Sequence, residues 1–173
     1  MSTTGNGSMP VHYERVVVPL DRTPEAEAAL SHAVTLARSL GLPIHLLHVV
    51  DITPLAQVSL FGVNDVNFLT ALGLVEAETE VATKYLEDVG QRLVQQGFAP
   101  TFEVRRGLMV PDLIDAVKPS DLMVMVMHDR SGLTSWIAGD DTEAVIRRSP
   151  APVLLVRPAA VSAKSSSTAK VAA

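Results

Sequence analysis

The sequence predicts an α/β fold: one domain built on a five-stranded parallel sheet with helices on both faces. Three observations carry this. Nearly unbroken apolar runs, such as Val16–Val18 and Leu122–Met127, suit strands covered on both sides. Segments with a helical apolar period lie between them. The two kinds alternate along the chain as βαβαβαβαβ, which argues for parallel strands joined by right-handed crossovers.

Each element has its own signals. Residues 1–12, rich in Ser, Thr and Gly, are expected to be a flexible arm, 13–158 the folded domain, and the Ala/Ser/Lys stretch 159–173 a disordered tail. Arg15–Pro19 is the first strand. Thr23-Pro24-Glu25 opens a helix with a cap hydroxyl, proline at the first position and acid in the first turn. Ala26, Ala29, Leu30, Ala33, Val34, Ala37 and Leu40 trace one face of that helix, and Gly41 ends it. Ile44–Val50 is the second strand. Asp51–Asn67 contains Pro54 and Gly62 without a period and reads as a long loop. Leu72, Val75, Ala82, Leu86, Val89 and Leu93 mark a long amphipathic helix closed by Gly97. Thr101–Arg105 is the third strand, Val110–Val117 a short helix and Asp121–Met127 the fourth strand. Thr142–Arg148 is the last helix and Val153–Val156 the last strand.

Composition narrows the function. The chain has 173 residues, 47% of them apolar and 19% charged, which fits a globular domain with its own core. A net charge of −5 argues against general nucleic-acid or anionic-membrane binding. The absence of cysteine excludes disulfides, a thiol nucleophile and cysteine-based metal sites. No apolar run approaches a membrane span and residues 1–10 lack a secretory pattern, so the expected location is the cytoplasm.

Doubly wound sheets hold ligands beyond the carboxyl ends of their strands, where the winding reverses. With the first and fourth strands as neighbours, that rim carries Pro19-Leu20-Asp21 and Met127-His128-Asp129-Arg130. Asp21 would accept a hydrogen bond from a ligand or, on the plainer reading, from its own turn. His128 would be a ligand contact, a base or an exposed loop residue. Asp140 and Asp141 stand where a helix N-terminus would otherwise offer donors to a phosphate. Asp140-x-x-Glu143 has the form of a capping box, and carboxylates suit the positive end of a helix dipole. A cation site built from Asp21, Asp129, Asp140 and Asp141 is the sharper alternative, but their spacing matches no known Mg²⁺ or Ca²⁺ loop. His45 and His48 lie three apart in a strand and point to opposite faces, so they form no metal set. Trp136 reads as an apolar plug over the cleft. There is no G-x-S-x-G elbow, no P-loop and no G-x-G-x-x-G fingerprint. No nucleophile–base pair at a known spacing supports catalysis by Asp129 or His128, and no catalytic or metal set is assigned.

Taken together, several segments resemble the universal stress protein family from Arg15 to Pro158. They are Val16-Val-Val-Pro-Leu-Asp21, Leu47-His-Val-Val-Asp51, Arg106-Gly107, Arg130-Ser-Gly-Leu-Thr-Ser-Trp-Ile-Ala-Gly139 and Ala151-Pro-Val-Leu-Leu-Val-Arg157. The resemblance implies a Rossmann-like, adenine-nucleotide-α-hydrolase-like single domain that dimerises through its last strand. Many members bind ATP through G-x-x-G, nine residues, then G-[S/T]. On this chain those positions are Val126, Asp129, Gly139 and Asp140, so Gly139 alone matches. The resemblance carries over Pro19 and Asp21 near the base and ribose, Val49 at the adenine and Gly139 beside the phosphates; with Met125, Val126, His128, Asp129, Arg130, Asp140 and Asp141 of the rim and motif positions they make up the expected ligand-contacting set. The dimer interface implied is Val153, Leu154, Leu155 and Val156.

The departures bear on chemistry. Glycine lets the backbone turn with positive φ and lets phosphate approach its N–H groups, and valine does neither. A carboxylate ~4 Å from a phosphate oxygen costs about 4 kcal/mol at an effective dielectric near ~20. A helix N-terminus returns roughly 0.3–1 kcal/mol. Val126, Asp129 and Asp140 therefore disfavour ATP or AMP unless Mg²⁺ bridges, or Arg130 turns inward. The expected protein is a homodimeric, non-catalytic binding module without tight ATP binding. The alternative is a Mg²⁺-dependent adenine-nucleotide binder.

Overall fold

Side chains that alternate between the two faces of one sheet build a core on each. The computed structural model describes residues 11–53, 55–56, 65–127 and 139–157. The strands are β1 (Arg15–Pro19), β2 (Ile44–Asp51), β3 (Thr101–Gly107), β4 (Asp121–Val126) and β5 (Val153–Val156). The helices are α1 (Pro24–Leu40), α2 (Asp65–Gln95), α3 (Met109–Asp115) and α4 (Gly139–Arg148). All strand pairs are parallel, in the order β3-β2-β1-β4-β5. The expected five-stranded α/β domain is present, and its first and fourth strands are neighbours. On one face Val16, Val18, Leu46 and Val124 pack against α1 and α2. On the other, Val17, Leu47, Met123 and Met125 pack against α3 and α4.

The ends of α1 form as its residues dictate. Thr23 Oγ1 accepts the Ala26 N–H at 3.1 Å, Pro24 opens the helix, and Gly41 ends it with φ 68°. Ala26, Ala29, Ala33 and Ala37 are buried, and these small residues let the helix lie close to the sheet. Arg92 clamps α2 to α1 by donating to both Glu27 oxygens at 2.9 and 3.0 Å. That bond holds the Glu27 carboxyl below its usual range. Tyr85 also donates to Glu27, and burial pushes its phenol pKa up.

Several boundaries differ from expectation. Asp51 belongs to β2, and α2 begins at Asp65, inside the segment read as a loop. Its early turns present Phe68, Leu69 and Leu74 to solvent while Ala71 and Val75 face inward, so no clean apolar stripe announces the helix. Second, α4 starts at Gly139, which puts Asp140 and Asp141 inside its first turn. The Glu143 carboxylate pairs with Arg147 at 2.8 Å, one turn ahead. Third, β3 runs on to Gly107. There Asp112 Oδ2 accepts the Leu108 N–H at 2.8 Å, tying down the start of α3. A Cβ on Gly107 would lie 2.1 Å from that oxygen, so only glycine fits.

Candidate functional site

The cleft between β1 and β4 follows from a proline. Val16 and Leu20 donate their N–H groups to Pro43 and Leu47, toward β2. By alternation Val17 and Pro19 face β4, and Pro19 has no N–H to give. The β1–β4 register accordingly ends at Val17–Met123, while β1 follows β2 as far as Leu20. Likewise β4 follows β5 to Val126–Val156, and Met127 N–H reaches the Val156 carbonyl at 2.9 Å. The two strands part at the point where the winding reverses, which is where such sheets receive ligands.

Asp21 sits at the mouth of this split and is 7% exposed. Its Oδ1 accepts from the Thr23 N–H at 2.9 Å and from the Thr23 hydroxyl, which in turn caps α1. The plainer turn reading of Asp21 is thus realised. Asp51 repeats the motif with Thr53 at the end of β2. Beneath the turn, His48 Nδ1–H donates to the Leu20 carbonyl at 2.6 Å. Burial lowers the His48 pKa and keeps the ring neutral, with Arg22 adding to the effect.

Arg22 was not anticipated from the sequence. Its φ is 66°, the one positive value on a non-glycine among the described residues. Its guanidinium pairs with Glu78 on α2. Left-handed backbone costs a side-chain-bearing residue roughly 1–2 kcal/mol. An ion pair this exposed returns at most about 1 kcal/mol, so the pair does not offset the strain. The only sequence signal was position: Arg22 is the middle of an Asp-x-Thr turn after a buried strand.

The remaining expected contacts distribute unevenly. Pro19 is buried at the end of β1. Val49 and Met125 are buried against α3 and α4, and Val126 lies on the α1 side as the last residue of β4. Val126 has no positive φ. Asp141 is half-buried in the first turn of α4, next to the buried Thr142. The Thr142 hydroxyl has no hydrogen-bond partner among the described residues. His128, Asp129, Arg130 and Trp136 lie outside the described residues, as does the side chain of Asp140. Among the described residues no set of His, Asp or Glu converges as metal ligands, and no helix is long and apolar enough to cross a membrane.

Away from the rim, His45 and His48 do point to opposite faces. His45 is buried, with Nδ1 2.7 Å from Thr101 Oγ1 and Nε2 3.7 Å from Glu103, and burial lowers its pKa. A groove of about 390 Å³ between α1 and α2 and another of about 520 Å³ over α2 and Arg106 contain no rim residue. Among the described residues β5 pairs on one side only, with β4, and Leu154 is 38% exposed.

This five-stranded parallel sheet with helices on both faces defines a single Rossmann-like α/β domain. The chain matches the universal stress protein family over residues 12–157, and it belongs to that family. It is 27% identical over 160 residues to universal stress protein MJ0577 of Methanocaldococcus jannaschii, covering 86% of this chain and 98% of that protein. The solved MJ0577 structure superposes with a TM-score of 0.67. The fold also matches UspA from Lactobacillus plantarum at 21% identity and TM-score 0.68, over 86% of this chain and 100% of that one. A universal stress protein solved in complex with cAMP matches at 20% identity and TM-score 0.51, over 85% of this chain and 99% of that one.

Proposed function

We propose that this chain is a homodimeric, non-catalytic binding module whose rim turns away a free triphosphate, placing it in the family subgroup with a degenerate ATP motif. The observation that supports this most is Val126. Where an ATP-binding relative would carry the first motif glycine, β4 continues as buried strand paired with β5. A backbone engaged in that ladder does not fold around a phosphate. Asp129 and Asp140 at the next motif positions add charge of the wrong sign. Calorimetry with ATP in EDTA tests the reading, with no heat of binding at micromolar concentrations expected. Submicromolar affinity without metal would refute it.

The second reading keeps the rim as an adenine-nucleotide site that needs Mg²⁺ or a ligand of lower charge. The split between β1 and β4, with the Asp21 carboxylate at its mouth, favours it. Asp21 and Val49 would face the nucleoside, and a divalent ion would bridge Asp140 and phosphate. The relative solved with cAMP carries a ligand with a single phosphate charge. Micromolar ATP binding that disappears on chelation would select this reading.

The homodimer of the first reading uses β5. An apolar edge strand with free backbone groups on one side recruits a second copy.

A further inference from the structure

We propose that Arg22 is the phosphate-binding residue of the rim, and that it selects a nucleoside monophosphate over a triphosphate. This rests on the second reading above, in which the rim holds an adenine nucleotide. Arg22 adjoins Asp21 at the mouth of the β1–β4 split, in the loop that leads into α1. Its backbone is held left-handed, where glycine would sit without strain. The Glu78 pair does not account for that conformation, because both side chains are well open to solvent, at 32% and 42% exposure. A cation kept on a strained turn beside the ligand entrance is explained by what it does there.

The pair with Glu78 is a placeholder. The planar guanidinium fork matches phosphate oxygens as well as it matches a carboxylate, and an exposed pair exchanges partners at little cost. His48 fixes the base of the loop through the Leu20 carbonyl, so the swing is confined to the Arg22 side chain. The charge layout then sets the ligand class. Arg22 stands in the loop between β1 and α1 with its guanidinium turned to Glu78 on α2, while α4 opens after β4 with the acidic sequence Asp140-Asp141. One phosphate group near Arg22 is compensated. A triphosphate chain long enough to reach the start of α4 would meet acidic sequence there.

The test is calorimetry with AMP and with adenosine on the wild type, Arg22→Gly and Glu78→Gln. Arg22→Gly is expected to weaken AMP binding roughly tenfold or more and leave adenosine within about twofold, as loss of a charge-assisted bond to phosphate requires. Its thermal midpoint should not fall, because the strain leaves with the arginine. Glu78→Gln should tighten AMP by freeing the guanidinium. Unchanged AMP affinity in Arg22→Gly overturns the assignment, and so does an equal loss for AMP and adenosine, which would mark a structural role. A wild type that binds neither ligand removes the nucleotide reading itself, and this inference with it.

Discussion

The Arg15 guanidinium grips both oxygens of the Asp121 carboxylate, with Nε 2.9 Å from Oδ1 and a terminal nitrogen 3.0 Å from Oδ2. Asp121 is fully buried and also accepts the Lys118 N–H, while Arg15 donates to the Ala116 carbonyl. The pair locks β1 to β4 at the end of the sheet opposite the split. Removing the cation strands a buried charge, so Arg15→Met should cost about 3–5 kcal/mol in urea unfolding. A loss under about 1 kcal/mol would show that the pair does not anchor the strands.

Gly107 and Asp112 should behave as one unit. Gly107→Ala forces the Asp112 carboxylate off the Leu108 N–H and should cost about 1–2 kcal/mol. In an Asp112→Ala background the same change should cost clearly less, leaving a coupling of about 1 kcal/mol in a double-mutant cycle. Strict additivity would mean that the clash is relieved elsewhere.

The buried histidines make stability depend on pH. Burial lowers the folded-state pKa of His48 and of His45 below the ordinary 6.5. The unfolded chain therefore takes up protons first as pH falls through 6.5, and the folded state loses stability down to its own lower pKa. Above 6.5 the contribution is constant. Arg22, Glu78 and Asp21 surround His48, and the Leu20 carbonyl opposes part of the shift. Urea midpoints should fall as pH drops below about 6.5, and His48→Gln should flatten the slope. An equal slope in wild type and variant would remove His48 from the account.

Leu154 is 38% exposed on β5, the last strand of the sheet order. Leu154→Lys should convert dimer to monomer in light scattering, weakening association by roughly a hundredfold. A variant that stays dimeric would place the interface away from β5.

Much of the fold was legible because burial pattern and caps agree at each element. Thr23, Pro24 and Gly41 bound α1 as their chemistry requires, and Val16–Val18 could only be an interior strand. The start of α2 was hidden because Phe68, Leu69 and Leu74 break its apolar stripe. The acidic pair at α4 was visible, but its place inside the first turn depended on where the helix begins, which composition does not encode. Pro19 was flagged by position, yet its role in parting β1 from β4 emerges only from which way alternate N–H groups face. Arg22 escaped notice because a left-handed arginine has no sequence signature.

The central claim is that acidic side chains at the motif positions exclude a free triphosphate. The direct measurement is calorimetric titration of ATP, in EDTA, into the wild type and into the Asp129→Gly/Asp140→Ser variant. The variant should bind at least about tenfold more tightly than the wild type. Equal affinities, or tight binding by the wild type in EDTA, would contradict the account.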